Sequence, residues 1–333
     1  MNPTQYLRHQ DIPDVRRPER IVVSTASVGI ACFDDPGVVL LDARSLEVRG
    51  RVLLDLQAER PGVPRSRCPA GDLAIAGERL FIAQTFSNVV VVADEETGQI
   101  VARLPVGGEG RLAVSPDGRT VYFANNLRNE FSTIDVQTLA YETVRYPPGS
   151  RGIGAVLAHS DGRRLLLGLQ RGGAINGRTL AGGKSHLAVF DLRAREFIAQ
   201  VYLAEVLGPT QSDDSAPHCL TLSPDGTSLY VGMFQSRQGI LVVDLESYRV
   251  LRGVRFPPSP RHRGIFEWVD PLAQAVYGDL LLSVNRNNFD LAVVSRREDI
   301  CDCICMALQL AWRLELWHLP SSHAISYPMF RTR

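Results

Sequence analysis

The sequence predicts an all-β chain, a β-propeller of six or seven four-stranded antiparallel blades whose last blade is atypical or truncated. Three observations carry this. A Ser-Pro-Asp-Gly turn occurs at Ser115–Gly118 and again at Ser223–Gly226, with the variant His159-Ser160-Asp161-Gly162 between them. Each turn separates two short apolar runs, and proline second with glycine fourth suits a type I turn closing a tight hairpin. Next, an apolar strand ending in aspartate recurs at Val39–Asp42, Val90–Asp94, Thr133–Asp135, Ala188–Asp191 and Val242–Asp244, with Leu291–Ser295 as a sixth copy. The copies are about 40 to 55 residues apart, a period that suits one propeller blade. Finally, helical periodicity is nearly absent.

Taken in order, the first blade offers strands b, c and d near Ile21–Ala26, Val38–Asp42 and Val48–Leu54, but no strand a. The sixth offers a, b and c near Gly264–Trp268, Asp279–Val284 and Leu291–Ser295. Closing a ring removes free strand edges, so residues 301–333 are expected to complete it. Met306, Leu308, Leu310, Trp312, Leu314 and Leu316 alternate as a strand would and are assigned to the sixth strand d. His323–Met329 is assigned to the missing strand a. This tail holds three of the six cysteines and two of the three tryptophans. An altered end of a seven-bladed protein is therefore the alternative. The domain reading is an arm over 1–19, a propeller over 20–300 and the tail over 301–333.

The run from Arg111 to Asn126 continuing to Thr133-Ile134-Asp135, and the similar run from His218 to Asp244, resemble the YVTN-repeat β-propeller family. The resemblance extends over roughly 20–300 and places the chain near the cytochrome-cd1-type and lactonase-like propellers, here without a haem-attachment motif. It implies the fold and says little about activity, because propellers host many unrelated functions.

Thirty-six basic and 36 acidic residues give a formal net charge of zero, and all the basic residues but Lys184 are arginine. That balance argues against coating nucleic acid or an anionic membrane by bulk charge. The polar N-terminus and the lack of long apolar runs lead to the expectation of a cytoplasmic protein.

Propeller geometry gathers the starts of strand a and the ends of strand b on one face. The expected strand-a starts carry Arg67, Arg111, Arg151, His218 and Arg263, and the strand-b ends add Asn125, Arg237 and Asn285. Guanidinium forks converging on one mouth suit a carboxylate or phosphate. The glycine-rich segment Arg171–Ser185 and the segment Ala204–Pro217 are expected on the same face. His218, with Asp213 and Asp214 upstream, is the candidate general base. No cofactor is expected; one divalent cation on Asn125, Asn285 and Asp214 is the alternative. Cys301, Cys303 and Cys305, with His318 and His323, match no common zinc spacing, and Gly107–Gly110 reads as a turn between blades.

The first reading is a binding module holding an anionic small molecule or protein partner on this face. The second is a lactonase- or lyase-type enzyme at the same mouth, since the 6-phosphogluconolactonase family has a similar architecture and presents His and Arg to a phosphorylated lactone. The third, single-stranded nucleic-acid binding, would need Phe86, Phe131 and Phe234 as stacking platforms.

Overall fold

A computed structural model of the chain describes residues 15, 18–32, 37–54, 70–85, 87–107, 109–126, 128–146, 150, 152–170, 174–175, 178–179, 185–203, 216–234, 239–254, 271–277, 280–285, 290–295 and 301–304. Among the described residues, six four-stranded antiparallel sheets form, each from four strands consecutive in the chain apart from one small insertion. Sheet one is β1 (Pro18–Val23), β2 (Ser27–Cys32), β3 (Gly37–Asp42) and β4 (Val48–Leu53). Sheet two is β5 (Ala70–Ala76), β6 (Arg79–Gln84), β7 (Val90–Asp94) and β8 (Ile100–Leu104). Sheet three is β9 (Gly110–Val114), β10 (Thr120–Asn125), β11 (Glu130–Asp135) and β12 (Tyr141–Arg145). Sheet four is β13 (Ile153–Ala158), β14 (Arg164–Leu169), β17 (His186–Asp191) and β18 (Glu196–Tyr202), interrupted by the two-residue ladder β15 (Ala174–Ile175) and β16 (Arg178–Thr179). Sheet five is β19 (Ala216–Leu222), β20 (Ser228–Phe234), β21 (Ile240–Asp244) and β22 (Arg249–Val254). Sheet six is β23 (Pro271–Tyr277), β24 (Leu280–Asn285), β25 (Asp290–Ser295) and β26 (Cys301–Ile304). The innermost strands pack in succession, β1 on β5, β5 on β9, β9 on β13, β13 on β19 and β19 on β23.

Two sequence expectations are corrected here. Sheet one has its own strand a, because Ile21-Val22-Val23 is the first strand and not the second. Its a–b turn lacks the Pro-Asp-Gly signature, yet Ser24 does the work of the turn serines. Ser24 Oγ accepts the amides of Ala26 and Ser27, each at 3.0 Å. Sheet six takes Pro271–Tyr277, not Gly264–Trp268, as strand a and Cys301–Ile304, not Met306–Leu316, as strand d, and with β1 in place sheet one does not need His323–Met329 for its strand a. Those two segments, and Gly264–Trp268, lie outside the described residues.

Period-two alternation explains the packing. Along β6, Leu80 and Ile82 join the core between sheets one and two, while Phe81 and Ala83 join the core between sheets two and three. The same division continues around the sheets. A strand buried on both faces reads as a continuous apolar run, which is why the b and c strands show no polar alternation. The outer strands do alternate: in β18, Glu196, Ile198 and Gln200 are exposed between half-buried neighbours.

The c–d turns repeat one solution in five sheets. The strand-end carboxylate turns back to accept amides two or three residues on, as Asp135 Oδ1 does from Gln137 (3.0 Å) and Thr138 (2.7 Å). The fourth residue after the aspartate is left-handed each time: Leu46, Gly98, Leu139, Arg195 and Tyr248, with φ between 54° and 72°. In four of these turns its amide bonds the carbonyl of the aspartate itself. The a–b turns use a related device, in which Ser115 Oγ donates to Asp117 at 2.6 Å and accepts the Thr120 amide at 2.9 Å. Ser223, Asp225 and Ser228 repeat it. In the variant turn the buried His159 ring reaches across to the Gly226 carbonyl at 2.9 Å. Arg79 and Arg164, both opening strand b, donate to the carbonyls of Val136 (2.5 Å) and Leu245 (2.9 Å) in the following sheet.

These bonds hold eight turn carboxylates below the usual aspartate range, those of Asp42, Asp94, Asp117, Asp135, Asp161, Asp191, Asp225 and Asp244. Asp42, Asp161 and Asp225 fall to about 2. A carboxyl depressed by folding stabilises fully above its unfolded value near 3.8, and that contribution is lost as pH falls through the folded value. Thermal unfolding followed by circular dichroism should therefore show a Tm insensitive to these groups above about pH 5 and falling steeply between about pH 4 and pH 2. Asp135→Asn should flatten that fall.

The left-handed position gives a second, paired prediction. An L-residue there carries roughly 1 kcal/mol of backbone strain that glycine avoids. Arg195→Gly should raise stability by about that amount in urea titrations. Gly98→Ala should lower it by at least as much, because the new Cβ would also sit 3.1 Å from the Arg51 carbonyl oxygen.

Candidate site at the channel mouth

Five of the six inner strands open with a β-bulge. The register slips between Pro18 and Arg20, Ala70 and Asp72, Ile153 and Ala155, Pro217 and Cys219, and Pro271 and Ala273. β9 alone pairs without a break. A bulge leaves its extra residue outside the ladder, so the carbonyls of Gly71 and Gly154 need partners from elsewhere. Crowding selects glycine at the second of these, where a Cβ would lie 1.6 Å from the Pro217 carbonyl oxygen.

The partners are guanidinium groups. Arg20 Nε donates to Gly71 O at 2.9 Å, and Arg111 Nη1 donates to the same oxygen at 3.3 Å. Arg111 Nε donates to Gly154 O at 3.0 Å, so one side chain ties sheet three to both its neighbours. Asp72 continues the series by accepting the Leu112 amide at 2.8 Å. Register makes these residues equivalent. Arg20, Asp72, Arg111, Ala155, Cys219 and Ala273 pair with Ala31, Ala83, Ala124, Gly168, Gly232 and Val284. Burial pulls the Arg111 guanidinium below the usual arginine range; Asp72 opposes that shift and Arg20 adds to it. Cys219 and Glu109 also lie within electrostatic reach of Arg111.

Of the residues expected at this face, Arg111 forms the bridge just described. Arg67, Arg151, Arg263 and Arg237 lie outside the described residues, as do Asp213, Asp214 and Phe86. His218 is the extra residue of the β19 bulge, and its ring lies edge-on to Phe234 with centroids 5.7 Å apart. Asn125 is buried, with Nδ2 donating to Val106 O at 3.1 Å and Oδ1 accepting the Arg128 amide at 3.0 Å. Gly107, at φ 102°, is forced by that amide, since its Cβ would stand 1.9 Å from Asn125 Nδ2. Asn285 ends β24 opposite Pro271. Gly107–Gly110 leads into strand β9 as the sequence implies. Phe131 is fully buried against Phe190 and has no face for a base to stack on. Among the described residues, no three His, Cys, Asp or Glu side chains cluster to hold a metal ion, and no helix is long and apolar enough to cross a membrane.

Sequence reasoning does not reach Asp72, and it takes Arg20, with Arg16 and Arg17, for part of a solvated N-terminal arm, whereas Arg20 lies in β1 and bonds Gly71. Arg20 precedes Ile21-Val22-Val23 as Arg111 precedes Leu112-Ala113-Val114, and that parallel was the available signal.

No family model and no curated protein sequence matches the chain. Among solved structures it is similar to Kuenenia stuttgartiensis hydrazine synthase, at 19% identity over 87% of this chain and 80% of that one, with a TM-score of 0.62. It is also similar to the β-propeller domain of Cps50 (Swd1) from Myceliophteria thermophila, at 14% identity over 86% of this chain and 85% of that one, with a TM-score of 0.59. At these identities the likeness establishes the β-propeller fold alone.

Truncating Arg111 should be costly away from any ligand. Arg111→Ala leaves the Gly154 carbonyl unpaired and removes one donor from Gly71, at about 1–3 kcal/mol for a buried group of this kind. Urea denaturation of the variant should show a lower midpoint with an unchanged slope.

Proposed function

We propose that the chain is a binding module whose channel mouth holds an anionic ligand or partner on Arg20 and Arg111. One observation carries the reading: two guanidinium groups from different sheets converge on a single carbonyl oxygen, that of Gly71. Asp72 offsets part of the charge that the two guanidinium groups hold in this partly desolvated place, and an anion on them would offset more of it. A guanidinium carries five N–H donors. Arg111 commits Nε and Nη1 to the bulge carbonyls, and its Nη2 has no acceptor among the described residues. A fork fixed at one edge and offered at the other suits carboxylate or phosphate oxygens. The other arginines expected at this face, Arg67, Arg151, Arg263 and Arg237, belong to the same reading.

The test is a thermal-shift titration with citrate and with inorganic phosphate against sodium chloride of equal ionic strength. A ligand present at about 100 times its Kd stabilises by about 2.7 kcal/mol, a rise of several degrees in Tm. Arg111→Gln should abolish the ligand-induced rise whatever it does to the starting Tm. An equal rise in wild type and variant, or no rise with either anion, would discard the reading.

A further inference from the structure

Among the described residues, the buried side-chain polar atoms without a hydrogen-bond partner are Ser27 Oγ, Gln274 Nε2, Gln274 Oε1 and Ser283 Oγ. Three of these four belong to one place. Gln274 in β23 and Ser283 in β24 are direct cross-strand partners, so their side chains share one face of sheet six. Register identifies that face as the one each sheet turns to its predecessor. The pairs at the same position are Leu73 with Ile82, Leu112 with Phe123, Val156 with Leu167 and Leu220 with Val231. Sheet six alone puts an amide and a hydroxyl where those four sheets put two apolar side chains.

The neighbourhood agrees. Two residues along the same strands and on the same face, Val276 and Leu281 pack on Tyr230, Ile240, Val242 and Val254 of sheet five. At the Gln274 level, Thr221 of sheet five donates its hydroxyl to the Gln274 backbone carbonyl at 3.5 Å. The seam between sheets five and six is therefore apolar at one level along the strands and polar at the next. Serine at the site of Ile82, Phe123, Leu167 and Val231 also removes side-chain volume there.

Buried polar atoms are rarely left unpaired, because the desolvation cost is then unreturned. Exchanging the O and N of the Gln274 amide changes nothing, since both atoms are orphaned in either orientation. We propose that a resident water molecule joins Gln274 to Ser283 in this seam. It would accept from Nε2, donate to Oε1 and exchange one bond with Ser283 Oγ, three partners being the usual complement of a buried water. The neutral amide and hydroxyl offer no charge to hold an ion, and they provide both donor and acceptor, as water does.

A high-resolution crystal structure of the full chain is the direct test. The expected result is an ordered water within hydrogen-bond distance of the Gln274 amide and Ser283 Oγ. A dry seam, a direct Gln274–Ser283 bond or an ion in that place would each overturn the proposal. A second measurement uses Gln274→Leu, Ser283→Val and the double variant. Each single change strips the water of a partner and should lower Tm by about 2–4 °C. The double change removes the polar site and should return Tm to the wild-type value or above it. A double variant that loses the sum of the two single losses would show the residues to be uncoupled and would equally overturn the proposal.

Discussion

Sheets one to five of this chain are apolar on both faces, and such a sheet is stable only between two neighbours. That requirement decides most of the architecture. It makes the b and c strands continuous apolar runs, and it sends Phe81 and Ile82, adjacent in sequence, into two different cores. It also forces the inner strands together around one axis, where there is too little room for side chains. The residues facing the strand-a bridge positions are accordingly alanine, glycine or valine, and backbone approaches backbone at Gly154 and Pro217.

Crowding of backbone at the axis creates the polar problem that the site residues answer. Bulged inner strands present carbonyls that no ladder satisfies, and a buried carbonyl must be paired. Long side chains with several donors and a planar head are suited to reach one sheet over, which is what Arg20 and Arg111 do. At the opposite ends of the strands the turns leave amides in surplus, and aspartate and serine accept them, which holds the carboxylates below the usual aspartate range. Carbonyls there are again met by arginine, as Arg79 and Arg164 show. Donor and acceptor side chains at each end follow one accounting of backbone groups.

How much of this was legible in the sequence depends on the same division. The Ser-Pro-Asp-Gly turns and the strand-end aspartates are local devices, closed within a few residues, and they locate the repeat and its strands directly. β2 escaped, and Ile21–Val23 took its place as strand b, because the turn between β1 and β2, Ser24–Ala26, performs the same bonding without proline, aspartate or glycine. β26 escaped because Cys301–Ile304 has no strand signature of its own and is a strand only by pairing with β25. Arg111 stood out because it adjoins a well-formed blade. Asp72 did not, since its place is defined by a bulge, and a bulge shifts register by one residue without leaving any mark in composition. Gln274 and Ser283 are unremarkable as a sequence and become anomalous only when aligned by pairing with Leu73 and Ile82.

Eight aspartates sit in turns, bound by amides and hydroxyls, while two arginines meet at Gly71 with Asp72 beside them. A structural role for Arg111 and a binding role are not competing explanations. The bonds to Gly71 and Gly154 fix the guanidinium plane, and a fixed plane loses little entropy when an anion arrives. The same bonds make the side chain a tie between sheets two, three and four. On the proposed reading, the charge that anchors the inner strands is also the one that meets an anion, which couples binding to the stability of these sheets.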